Sequence, residues 1–277
     1  MRNQLKRLIF TAITIILTAI TLIAQTPPIE GSWEVIPELT DEFEGEYLNI
    51  NKWFDHDPDW KGREPAYFLS DNVSVVDGEL QLASRVGAEQ ELPDGYFIAG
   101  SAIKSTVEVL YGYFEVKAKA VNSLMSSAFW FYKYTENPKA GVEIDVFEMS
   151  PHTKGREKAI SMNVHTFHTP NDSTYRWCGT EWEASFNLSD DYHIYALEWN
   201  EENIVFFVDN EVVYTCKNVD QHFPMQMMFS SETMESRTGI IKYNDLSTYP
   251  TLPGIFKIEY VRSWKKSKAK DFETYSN

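Results

Sequence analysis

The stretch 141-GVEIDVFEMS-150 sets three acids, Glu143, Asp145 and Glu148, into a run that otherwise reads as a buried strand. An unpaired carboxylate costs several kcal/mol to bury, so the three need a reason to be there. Side chains alternate faces along a strand, which places Glu143 and Asp145 on one side. Strict alternation then turns Glu148 into the packed side. One extra residue, a β-bulge at Val146–Phe147, shifts the phase and returns Glu148 to the face of the other two.

Reach follows from that geometry. Four strand steps put the two glutamate backbones roughly 13 Å apart. With each side chain leaning about 4 Å inward, the carboxyls end about 5 Å apart, the separation of a retaining glycosidase. Such a pair needs one ionised carboxylate and one kept protonated by its neighbours, with Asp145 coupling the two titrations. Taken alone, the decapeptide also fits a solvated strand edge or a calcium cluster. The aromatic surroundings favour a sugar site. The segment 126-SSAFWFYKY-134 predicts an adjacent strand with Trp130 and Tyr132 on one face, and Trp60 and Trp199 add two more indoles. Indole rings offer flat apolar platforms to sugar rings.

The 277-residue chain opens with Arg2, Lys6 and Arg7, followed by an apolar run from Leu8 to Ala24. This is the pattern of a secretory signal peptide over 1–24, cleaved near Ala24 or Gln25, with export to the periplasm or medium. A short membrane anchor is the alternative. The leader holds three basic residues and no acid, so removing it takes the formal charge from −16 to −19. Nucleic acid and anionic membranes are therefore poor partners. The two cysteines, Cys178 and Cys216, can pair in an oxidising compartment, and their spacing does not decide whether they do.

Strand-like runs recur at 73–84, 112–121, 192–200, 203–215 and 255–264, with hairpin signals at 76-VDGE-79 and 208-VDNE-211. In 113-YFEVKAKA-120, Glu115, Lys117 and Lys119 alternate with apolar residues and predict one wet face. No segment shows sustained helical periodicity, and there is no repeat. The expectation is an all-β fold, two antiparallel sheets packed as a sandwich with a concave cleft. It is a single domain over 25–265, with a polar tail at 266–277.

The motif Glu-Ile-Asp-Val-Phe-Glu at 143–148 resembles the E-x-D-x-x-E signature of glycoside hydrolase family 16. Similar segments follow in order along the chain: 40-TDEFEG-45, 111-YGYFEVKAKA-120, 128-AFWF-131, 163-NVH-165, 195-YALEWNEENIVFFVDNE-211, 229-FSSE-232 and 258-IEYVRSW-264. The resemblance implies a secreted β-jelly-roll enzyme that cuts β-linked glucans or galactans with retention. Glu143 is then the nucleophile, Asp145 the assisting acid and Glu148 the acid/base. Trp130 floors the subsite before the scissile bond, His165 lies near the acids, and Glu232 and Trp199 form cleft wall. No cofactor is required. Some members hold a structural calcium through an aspartate of the last strand; Glu259 stands in its place in this chain, which leaves that calcium open.

The segment at 58–82, with its 60-WKGR-63 loop, looks most like the agar-cleaving branch, the β-agarases and β-porphyranases, with κ-carrageenases and laminarinases as alternatives. Guanidinium groups bind sulfate through paired hydrogen bonds. Arg63, Arg156, Arg176 and Arg237, with Lys61 and Lys154, are the candidate cations, Arg63 foremost. Two other readings compete: a binding module that lost activity, which has no need of two glutamates flanking an aspartate, and a transglycosylase using the same residues. The expected partner is a red-algal polysaccharide, met by a monomer.

Overall fold

The alternating runs become strands, and a computed structural model describes residues 26–87, 92–134, 141–168, 174–239, 242 and 252–267. The first strands are β1 (Trp33–Val35), β2 (Trp53–Phe54), β3 (Ala66–Phe68), β4 (Val73–Val76), β5 (Glu79–Val86) and β6 (Ile98–Val109). Then come β7 (Gly112–Lys119), β8 (Ser127–Tyr134), β9 (Gly141–Met149), β10 (Ala159–His168) and β11 (Arg176–Glu183). The last are β12 (His193–Trp199), β13 (Asn203–Val208), β14 (Glu211–Lys217), β15 (Met225–Ser231) and β16 (Gly254–Lys266). One short helix, α1 (Glu235–Thr238), follows β15. None of the described helices is long and apolar enough to cross a membrane.

The strands pair in the order β11-β10-β9-β8-β15-β6-β5-β16-β7-β12-β13-β14, antiparallel throughout. Off this path, only β3 pairs parallel, against β6. The chain of strands folds over at β5 and β6, which meet through Arg85↔Ala99 and Val86↔Ile98. At the other edge, Cys178 of β11 is bonded to Cys216 of β14, with Cα atoms 6.3 Å apart. The disulfide thus ties together the two end strands and nearly closes the sandwich. Its 38-residue separation gives a stabilisation of about 2–4 kcal/mol.

Both hairpin signals form tight two-residue turns. Asp77 and Gly78 have φ of 54° and 78°, and Asp209 and Asn210 have 48° and 68°, the left-handed values that type I′ turns require.

Between the layers lies one apolar core, including Phe114, Phe129, Phe131, Ile144, Phe147, Leu197, Phe229 and Phe256, all fully buried. Each such side chain contributes about 1.5–3 kcal/mol. Phe129 and Phe229 stack at 4.7 Å and 8°. The outer face of the second sheet is also covered: Tyr113, Ala196, Phe207 and Trp264 pack under Ile29, Trp33 and Val35.

Two expectations change. Glu115 is not on a wet face: it is 7% exposed and accepts a 2.9 Å hydrogen bond from Tyr260 Oη of the adjacent strand. The final strand runs through Lys266, one residue into the expected tail; 268–277 lie outside the described residues, as does the leader at 1–24. Glu259 binds the Lys117 ammonium at 2.7 Å. That ion pair occupies the position where some family members place a calcium-binding aspartate.

Candidate active site

β9 positions the acids, and a bulge decides which way each one faces. Against β8, Phe129 pairs with Phe147 but the next residue, Trp130, pairs with Asp145, leaving Val146 as the extra residue. Against β10 the same shift appears between Ser161↔Glu148 and Asn163↔Asp145. Val146 and Phe147 both turn into the core, and Glu143, Asp145 and Glu148 all turn away from it. The apolar demand of two consecutive core residues is what forces the phase change.

The three acids line a pocket with Trp60, Arg63, Ala128, Trp130, Tyr132 and Glu232. Trp130, Ala128 and Met228 form a small apolar floor, with Trp60 and Tyr132 packed against it. Trp60 meets Trp130 edge-on at 6.1 Å. Trp130 Nε1 donates to Ser230 Oγ at 3.3 Å, which fixes the ring. Arg63 lies over the Trp60 ring at 6.0 Å and donates through Nε to Glu232 at 3.2 Å. Its side chain is still 54% exposed, whereas that of Glu232 is buried.

On the β10 side, His165 Nε2 sits 3.3 Å from Asp145 Oδ2, and its Nδ1 is 2.9 Å from Tyr175 Oη. Asn163 Nδ2 donates to Glu148 Oε2 at 2.9 Å. Trp177 Nε1 in turn donates to Asn163 Oδ1 at 3.0 Å. Gly179 makes that packing feasible, since a Cβ there would lie 2.6 Å from Asn163 Oδ1. Arg237 of α1 donates through Nη2 to the same Glu148 oxygen at 2.7 Å.

Burial dominates the electrostatics. Glu143 is pushed well above the ordinary carboxylate range by desolvation, then by the charge of Asp145 and a hydrogen bond shared with it. Glu148 is raised by burial and by Asp145, against the lowering pull of Arg237 and His165. Glu232 is raised to about 7 by burial, with Arg63 opposing. Closely packed carboxyls titrate together, so the high proton affinity of Glu143 belongs to the Glu143–Asp145 pair.

The structure brings Trp60, Arg63, Trp130, His165 and Glu232 together with the three acids. Arg156 stands beside them, bound to Glu181 at 2.7 Å and to Ser161 at 3.1 Å in the row of Glu148. Two expectations are corrected. Trp199 is not cleft wall: on β12 it shares a face with Tyr195 and Leu197, is 1% exposed, and packs on Phe131 in the core. Arg176 shares the face of Thr166 and Cys178, away from the acids, where Asp220 holds it through two 2.6 Å bonds. Sequence gives little reason to single out Asn163, Tyr175 or Trp177. Asn163 is two residues from His165 and therefore on its face, which is the one available signal.

This arrangement resembles known proteins along most of its length. A family model described as the GH16 domain of β-porphyranases A–D matches residues 33–266. Beta-porphyranase E of Zobellia galactanivorans is 32% identical over 229 residues, 74% of this chain and 79% of that protein. Beta-porphyranase B of Phocaeicola plebeius is 31% identical over 254 residues, 77% of this chain and 79% of that one. The crystal structure of porphyranase B from Zobellia galactanivorans superposes with a TM-score of 0.77 at 24% identity, covering 87% of this chain and 97% of the other. The bulged acid strand, the sandwich that carries it and these matches make the chain a member of glycoside hydrolase family 16.

Proposed function

We propose that the protein is a secreted, monomeric, retaining endo-β-glycosidase that hydrolyses agar-type galactans of red algae, porphyran first among them. The observation that carries this reading is Arg63, half exposed over Trp60 at the rim of the pocket that holds the acids. The guanidinium nitrogens not bound to Glu232 can donate paired hydrogen bonds to a sulfate ester. The porphyranase relatives support the same substrate. The leader pattern at 1–24 and the Cys178–Cys216 disulfide support export to an oxidising compartment.

In the first step, Glu148 gives its proton to the glycosidic oxygen while Glu143 attacks the anomeric carbon; the C–O bond breaks and a glycosyl ester forms. Asp145, hydrogen-bonded to Glu143, orients the nucleophile. In the second step, Glu148 takes a proton from water, which attacks the same carbon and frees Glu143. Trp130 supplies the flat floor for the sugar being attacked.

The test is reducing-end release by residues 25–277 on porphyran, agarose, κ-carrageenan and laminarin side by side, with Glu143→Gln as control. Release from porphyran above agarose supports the proposal. Preference for laminarin or κ-carrageenan would overturn the substrate, and silence on all four would favour a binding protein.

A further inference from the structure

Glu148 is held by one of its two oxygens. Oε2 accepts from both Asn163 Nδ2 at 2.9 Å and Arg237 Nη2 at 2.7 Å, while no donor among the described residues is bonded to Oε1. An oxygen that already accepts two charge-assisted or amide hydrogen bonds is a poor site for a proton. The proton of the acid form therefore sits on Oε1. We infer that Arg237, acting with Asn163, is the positioning residue of the acid/base: by occupying Oε2 it fixes Oε1 as the oxygen that gives and later takes the proton. This rests on the proposed retaining reaction and deepens it.

The surroundings agree. Arg237 is on α1, immediately beyond the segment carrying Glu232, and its backbone N–H donates to Met234 O at 2.9 Å, which anchors the turn. The Arg237 side chain is only 12% exposed, so the pair with Glu148 is shielded from solvent and from screening salt. Facing Glu148 are Glu143 and Asp145 on its own strand, Asn163 and His165 on β10, Glu232 after β15, Arg63 from the loop before β3, and Arg237. Arg237 is the cation in direct contact. It opposes the acids and burial that push Glu148 upward, and so keeps the group able to ionise for its second role as base.

The inference predicts Glu148's behaviour without its partner. In Arg237→Gln the neutral acid persists to higher pH, and the carboxyl is no longer pinned by Oε2. Carbon-13 NMR titration of the labelled Glu148 carboxyl, in wild type and Arg237→Gln, reads the first effect independently of any substrate. The expected result is an upward move of about one pH unit or more. The alkaline limb of kcat/KM on porphyran should move up with it, with kcat falling about tenfold to a hundredfold and KM within about twofold. Arg237→Lys, which keeps the charge, should restore the limb and part of kcat. An unmoved Glu148 titration in a folded Arg237→Gln protein would overturn the inference, as would a loss confined to KM. Inactivity of the wild type on every galactan would instead refute the proposed substrate, since the NMR comparison stands without turnover.

Discussion

Phe147 packs on Phe129 across β8 and β9 with ring centroids 5.9 Å apart, and the very next residue, Glu148, faces the opposite way into the cleft. Val146 is buried on the same side as Phe147, so two successive residues fill the core. Glu148, the proposed acid/base, owes its position to this local break in alternation. Deleting Val146 should restore a regular strand and drive either Phe147 out or Glu148 in. Expected are loss of activity below detection and a Tm fall of several degrees, read by reducing-end assay and calorimetry. An active, stable deletion would show that the bulge is dispensable.

Glu143→Gln and Glu148→Gln each remove one chemical role and leave shape almost unchanged. Each should lower kcat by about 10²–10⁴ or more. Glu143→Gln should leave folding unaffected or slightly improved, because it relieves repulsion among buried acids. Glu148→Gln also takes the anion from the shielded Arg237 and should lower Tm modestly. Circular dichroism and Tm check the fold, and steady-state assay checks the loss. Near-normal turnover in either variant would dismantle the assignment of roles.

Glu232 makes a prediction about stability against pH. Its proton affinity is raised by burial to about 7, from an ordinary 4.5. Between those values the unfolded chain releases its proton and the folded protein keeps it. The stability held in the neutral form is therefore present at low pH and lost as pH rises through about 7. Glu232→Gln, which cannot ionise, should gain on wild type as pH rises from about 5 to about 8. Paired thermal melts at the two pH values measure it, and a constant Tm difference would contradict it.

Arg63 reads sulfate in the proposed function and Glu232 aims it. Arg63→Gln should raise KM on porphyran about tenfold, as loss of one charge-assisted hydrogen-bond pair implies, with little change in kcat. On desulfated polymer the same substitution should have a much smaller effect. Equal losses on both substrates would make Arg63 a structural partner of Glu232 instead of a sulfate reader.

Local pattern made much of this protein legible. Period-two alternation placed the acid strand and its neighbour; the Asp-Gly and Asp-Asn pairs placed two hairpins; the clash between alternation and three acids placed the bulge. What stayed hidden depends on contacts distant in sequence. Arg176 looked available until Asp220, 44 residues away, took one edge of its guanidinium through two bonds. Glu115 looked wet until Tyr260, 145 residues on, covered and bonded it. Arg237 read as one of several cations, and only folding brings it across 89 residues to Glu148. Trp199 is different: its alternation with Tyr195 and Leu197 already pointed inward, and the pull of an indole toward a sugar site outweighed that simpler signal.

The stereochemistry of the first product tests the central claim most directly. Proton NMR during the opening minutes of porphyran hydrolysis records which anomer appears before mutarotation mixes them. A nucleophilic Glu143 opposite an acid Glu148 predicts that the β-anomer forms first and the α-anomer grows in later. An α-anomer at the outset would mean inversion by direct attack of water, and would contradict Glu143 as nucleophile and Glu148 as acid/base.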